Sequence, residues 1–175
     1  MRITHNEPVA VVSAGIGGAA PLLRRLVDGP VEELNPYDLA MGRAVPGHYR
    51  AVVVENVRPE RRGGPLSECT AARWLLPPSP LTVVSLDDPA GCRLAREGRP
   101  VLAYSDGNCR ADVTAKNANL RWGRLEFDVL TAGDLGRVRL APENGYDLYG
   151  ALAALTCALG LGMPLDEAAR RLGGR

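Results

Sequence analysis

The chain has 175 residues, enough for one sizeable core and too few for two ordinary domains with a linker. Hydrophobic residues make up 46% and charged residues 23%, which excludes a wholly disordered chain. With 21 Lys and Arg against 20 Asp and Glu the net charge is +1, so the basic excess by which a nucleic-acid binder neutralises phosphates is missing and no nucleic-acid partner is expected.

Pro8 to Ser13 (P-V-A-V-V-S) is a short apolar, β-branched run, the pattern of a buried strand. A glycine-rich turn, Ala14 to Gly18, follows it. Ala20 to Val27 then has helical spacing, with Pro21 in the first turn, where its missing N–H is harmless. Gly29-Pro30 ends that helix. Val31 to Leu34 reads as a second short strand, and Asn35-Pro36 as a break. Tyr49 to Glu55 (Y-R-A-V-V-V-E) is the strongest strand pattern in the chain. Arg58 to Pro65 reads as a polar loop, and Leu66 to Leu76 as a helix stopped by Pro77-Pro78. Leu81 to Leu86 is another apolar strand, closed by Asp87-Asp88-Pro89. Ala90 to Glu97 is a short helix and Val101 to Tyr104 a further strand. Strands alternating with helices predict an α/β fold: a mostly parallel sheet with helices on both faces.

The pattern then changes. Ala111 to Leu140 holds short alternating segments separated by Gly123 and by the turn at Ala132 to Asp134, which predicts a small antiparallel meander. Gly150 to Leu161 is an Ala/Leu helix, apolar nearly all round and hence buried. Gly162 to Pro164 breaks it, and Leu165 to Leu172 makes a last amphipathic helix. The expected organisation is one domain: an α/β core over 8–110, the meander over 111–140 and C-terminal helices over 144–172.

Four cysteines, Cys69, Cys92, Cys109 and Cys157, form no C-x-x-C pair, so reduced thiols in a cytoplasmic protein are expected rather than a zinc or redox site. No apolar run approaches the ~20 residues of a membrane helix, so no membrane partner is expected. Met1 to Val9 lacks the apolar centre of a secretory signal. His5 and His48 are the only histidines, which argues against clustered-histidine chemistry. Lys116 is the only lysine, every other basic residue being arginine. A mechanism needing lysine must use Lys116, because arginine keeps its proton and cannot be carbamylated. Arg58, Arg61 and Arg62 read as a solvated run, and Trp74 and Trp122 as core or partly buried anchors.

Several segments in fixed order resemble the central, ATP-binding domain of the Mur ligases, most nearly the UDP-N-acetylmuramoyl-tripeptide synthetase branch. Val31 to Arg43 (V-E-E-L-N-P-Y-D-L-A-M-G-R) is similar to that branch's E-V-S-S-H-x-L-x-x-x-R stretch. Ala51 to Asn56 (A-V-V-V-E-N) is similar to its A-V-F-T-N strand, and Ala71 to Leu76 (A-A-R-W-L-L) to its A-A-K-x-L-L helix. Val83 to Pro89 (V-V-S-L-D-D-P) resembles its I-N-x-D-D-P. Asn144 to Ala154 (N-G-Y-D-L-Y-G-A-L-A-A) resembles its G-x-x-N-x-x-N-A-L-A-A turn and helix. The resemblance runs from about Pro8 to Leu172. It implies a P-loop-like central domain, with the family's N-terminal UDP-substrate domain and C-terminal ligase domain expected to be absent.

Such ligases activate a carboxylate with ATP and Mg²⁺, and an amine then forms the amide. The resemblance assigns the phosphate loop G-T-x-G-K-T/S to Ala14–Ala20, with Gly15, Gly17 and Gly18 as its vestigial nucleotide-binding glycines. Gly18 stands where the loop lysine would be, and Ala19 where the magnesium-binding hydroxyl would be. Losing both removes several kcal/mol of phosphate binding, at ~1.5–3 for each hydrogen bond to a charged group. Glu33 matches the family's magnesium glutamate, and Asp87 and Asp88 match its nucleotide-side acids. Arg73 stands at the position of the carbamylated lysine. The first reading is therefore a degenerate, non-catalytic Mur-ligase-like protein, a binding or assembly partner of a full-length Mur-type ligase or of itself as a homo-oligomer. Its setting would be peptidoglycan-type or peptide natural-product metabolism, with no cofactor. The alternative is an ATP-dependent carboxylate–amine ligase, or half of a composite site completed by another chain, using ATP and Mg²⁺. A third reading is a small-molecule or nucleotide-binding module at the strand ends.

Overall fold

In the computed structural model, residues 7–13, 18–41, 43, 47–55, 79–97, 100–140 and 148–173 are described. The first expected strand forms as β1 (Val9–Ser13) and the first helix as α1 (Ala19–Leu26). They are followed by β2 (Val31–Leu34), α2 (Pro36–Ala40) and β3 (Ala51–Glu55). Next come β4 (Thr82–Ser85), α3 (Pro89–Arg96) and β5 (Val101–Ser105). The antiparallel part is β6 (Val113–Arg121), β7 (Arg124–Leu130) and β8 (Leu135–Leu140). Helices α4 (Leu148–Gly160) and α5 (Leu165–Gly173) close the described chain. The helix expected over Leu66–Leu76 lies outside the described residues.

One sheet holds all these strands, in the order β2-β1-β3-β4-β5-β6-β7-β8. Pairings are parallel from β2 through β6 and antiparallel for β6–β7 and β7–β8. The meander is thus an extension of the parallel sheet, not a separate layer. Its connection is short: β5 meets β6 only at Tyr104↔Val113 and Ser105↔Thr114.

The central strands are apolar on both faces, as strands covered by helices on each side must be. Val9, Val11, Ala51 and Val53 point into a core shared with α1, α4 and α5. Their neighbours Ala10, Val12, Val52 and Val54 point into a second core with Leu39 of α2 and Leu94 of α3. That alternation puts helices on both faces, as the sequence predicts. In α4 every residue from Gly150 to Ala158 is buried, which explains its lack of a polar face.

Asn35-Pro36 ends β2 as expected, and Pro36 also starts α2, a helix that the sequence pattern does not announce. Proline suits the first helical position, where its fixed φ is already helical and its missing N–H has no use. Leu39 N–H then bonds the Asn35 carbonyl at 3.1 Å.

Helix α3 lies hard against the end of β4. A Cβ on Gly91 would stand 1.9 Å from the Ser85 carbonyl oxygen, so only glycine allows this approach. Gly91→Ala should therefore cost about 1–3 kcal/mol as α3 is pushed off the sheet. Urea denaturation measures this, and an unchanged midpoint would refute the close packing.

Candidate functional site

The order β2-β1-β3 places a topological switch point between β1 and β3, where open α/β sheets form their ligand crevice beyond the carboxyl ends of the strands. Ser13 and Glu55 end those two strands and are register partners. Helix α1 starts above them at Ala19. The first N–H groups of a helix have no partner inside it, and they carry the positive end of its dipole. Gly18, at the N-cap, has no side chain with which to satisfy them. The cap comes instead from 36 residues further on: Glu55 Oε1 accepts the Ala19 N–H at 3.1 Å. Glu55 is only 2% exposed. A carboxyl group of the chain itself thus stands where such a helix end would hold an anion.

The opposite end of α1 is met by cations. Arg171 Nη1 donates to the Leu26 carbonyl at 2.9 Å, and Arg50 Nη2 donates to the Asp28 carbonyl. Arg50 is buried, and no acid among the described residues forms an ion pair with it. Both ends of the helix dipole are therefore balanced from within the fold.

The residues singled out in the sequence fall in different places. Gly15, Gly17 and Arg73 lie outside the described residues; Gly18 is described and precedes α1. Glu33 does not join Glu55. It sits on the edge strand β2 with its side chain 57% exposed, and it accepts a 2.7 Å bond from Arg24. Arg24 belongs to the last turn of α1, the end away from Ala19. Asp87 is engaged by the fold: its Oδ1 accepts from the Ser105 hydroxyl and its Oδ2 from the Asp106 N–H, each at 2.6 Å. It thereby ties the loop after β4 to the loop after β5. Asp88 precedes α3, and its carbonyl accepts the Cys92 N–H at 2.9 Å. Lys116 lies on β6, four strands from β1, or about 19 Å at ~4.8 Å per strand. Its Nζ bonds the Gly107 carbonyl at 3.1 Å. Among the described residues no three acids, histidines or cysteines come together as a metal site.

Sequence reasoning missed Glu55. The signal was present, because an acid closes the strongest apolar strand at the place where the similar family strand has threonine. Nothing local says that it faces a helix that begins 36 residues earlier.

No family model matches the chain. Among curated proteins, the UDP-N-acetylmuramate–L-alanine ligase of Aquifex aeolicus is 39% identical over 85 residues, covering 48% of this chain and 19% of that protein. The UDP-N-acetylmuramoyl-L-alanyl-D-glutamate–2,6-diaminopimelate ligase of Alkaliphilus metalliredigens is 26% identical over 144 residues, covering 78% of this chain and 29% of that protein. A solved UDP-N-acetylmuramoyl-L-alanyl-D-glutamate–2,6-diaminopimelate ligase aligns with 97% of this chain at a TM-score of 0.79 and 14% identity. The chain spans 46% of that structure, about half of it. Ligases that take different amino acids match side by side, so no one branch is singled out. Matched in sequence over part of its length by ligases of this kind, and in fold over almost all its residues, the chain is similar to the Mur ligases and shares the α/β fold of their solved structures.

Proposed function

We propose that this domain keeps the Mur-ligase scaffold without its nucleotide chemistry. It would act as a non-catalytic binding or assembly partner, of a complete Mur-type ligase or of a second copy of itself, in making peptidoglycan-type or related peptide products. The observation that carries this reading is the bond from Ala19 N–H to the buried Glu55 carboxyl.

ATP and Mg²⁺ are what the family implies, and the residues present do not fit them. A phosphate set on the start of α1 would compete with Glu55 for the same N–H. The phosphate would have to displace that carboxyl, and beside an ionised Glu55 it would also meet a repulsion of about 4 kcal/mol at ~4 Å and an effective dielectric of ~20. Gly18 and Ala19 offer neither the ammonium nor the hydroxyl that would offset this. Lys116 is engaged on a distant strand. Glu33 is tied to Arg24.

With ATP and Mg²⁺ the protein should release no phosphate above background and show no thermal shift. A variant carrying Gly18→Lys, Ala19→Thr and Glu55→Thr should gain affinity for inorganic pyrophosphate, read by calorimetry. Turnover by the unaltered protein, lost in Glu55→Ala, would overturn the proposal. Turnover appearing only on mixing with a second ligase-like protein would favour a shared catalytic site instead.

A further inference from the structure

The β6–β7 hairpin ends in a turn whose residues work against it. The turn is Arg121-Trp122-Gly123-Arg124, with Arg121 and Arg124 directly opposite each other. Trp122 has φ +54 and Gly123 φ +72. Two successive positive φ values are those of a type I′ turn, which selects Asn-Gly, and a bulky side chain there is an outlier. Trp122 is 98% exposed and Leu120 69%, so neither side chain contributes to the core. Trp122 is thus not the core or partly buried anchor that its residue type suggests.

The charges conflict as well. Asn119, Arg121, Arg124, Glu126 and Arg137 line one cleft with Trp122, of about 520 Å³. Both acids beside it are already engaged: Glu126 lies 3.1 Å from Arg137 and 3.7 Å from Arg139, and Asp128 lies 3.5 Å from Arg137. Among the described residues no acid lies within ion-pair distance of Arg121 or Arg124. Like charges facing each other across a hairpin destabilise it. Beyond Thr114, β6 also has no strand on its β5 side, so Lys116 to Arg121 are exposed.

Three features therefore oppose the isolated hairpin: an indole in the left-handed region, its ring in water, and two facing guanidiniums. One kind of contact relieves the last two and gives a use to the first. We propose that this tip is a docking surface for an acidic segment of a partner protein. A carboxylate would bridge Arg121 and Arg124, with an apolar or aromatic neighbour resting on Trp122. The partner is a protein rather than a nucleic acid because the uncompensated charge is confined to the turn. Beyond the turn Glu126 and Asp128 are paired with Arg137 and Arg139, so a phosphate backbone continuing along β7 and β8 would meet charge that is already compensated. A second copy docking tip to tip would bring four uncompensated guanidiniums together. This inference is independent of the nucleotide reading.

The probe is a short synthetic peptide with glutamates around one tyrosine, beside its glutamine counterpart. Both are followed by the Trp122 indole N–H resonance, identified by its loss in Trp122→Asn. The glutamate peptide should shift that resonance, and raising the salt should weaken its binding. Arg121→Gln with Arg124→Gln should weaken it about tenfold or more, as for hydrogen-bonded charges at the centre of an interface. Trp122→Asn, which lacks the reporter resonance and is therefore titrated with the glutamate peptide by calorimetry, should show no binding heat while its Tm rises, because the turn becomes Asn-Gly. Equal binding of the glutamine peptide, tighter binding of oligothymidylate, or no response at all would each overturn the proposal. So would a Trp122 shift that depends on protein concentration alone, which would point to a second copy.

Discussion

Glu55→Ala is expected to lower stability by about 2–4 kcal/mol, combining a lost bond to a buried carboxyl with an orphaned helix N–H. For a chain of this length that corresponds to a Tm drop of roughly 4–16 °C. The effect should exceed that of an ordinary N-cap because the bond is buried and spans two elements of the core. Glu55→Gln keeps an accepting oxygen and loses only the attraction of a charge for the helix dipole, so it should cost about 1 kcal/mol. Thermal or urea unfolding of the two variants at neutral pH makes the comparison. If alanine were as stable as the unaltered protein, Glu55 would not be capping α1, and the proposed loss of phosphate binding would lose its main support.

The second large effect lies on the alkaline side. Cys157 is on α4 with no exposed surface, and burial pushes its thiol up from 9.0 to about 12, against a smaller opposing pull from Arg50. Below pH 9 the thiol is protonated in both folded and unfolded chains. Above it the unfolded chain releases the proton and the folded chain keeps it. Stability should therefore be full below pH 9 and fall progressively towards pH 12, by on the order of 4 kcal/mol. That is a large part of the 5–15 kcal/mol typical of a domain. Tyr49 acts in the same direction, raised first by burial and then by its hydroxyl bond to Glu32 at 2.8 Å. Cys157→Ala should flatten the fall without removing the tyrosine part. Denaturant unfolding at several pH values between 8 and 11 tests this, and identical slopes in both proteins would refute it. At pH 8 a thiol reagent should modify the exposed Cys109 in the native protein and reach Cys157 only after unfolding.

Much of the fold was legible because it follows local rules. Val31–Leu34 forms the expected strand between its end signals, and the apolar run of β3 is buried on both faces as its composition requires. Helix α4, apolar all round, is buried all round. What the pattern at Asn35-Pro36 leaves out is also local: the strand ends there as expected, but proline can begin a helix as well, and the packing of Leu39 into the second core holds α2 in place.

The site was less legible because it is built across long separations. Glu55 and Ala19 are 36 residues apart, and Arg171 reaches the Leu26 carbonyl across 145. The motif match assigns Glu33 to a metal site, and the structure shows it on the exposed edge strand β2, bonded to Arg24. The residue type of Trp122 suggests an anchor, and the end of the hairpin leaves it in water.

By itself the sequence determined the order and kind of the described elements other than α2, the α/β class, and the lack of a lysine or hydroxyl at Gly18 and Ala19, just after the glycine turn. All of these depend on residue identity and short-range periodicity. Only the tertiary structure decided which carboxyl meets the start of α1, how the meander joins the sheet and which indole faces solvent. The physical reason is that a hydrogen bond or a buried surface depends on distance in space, and chain separation carries almost no information about that distance until the sheet order is known.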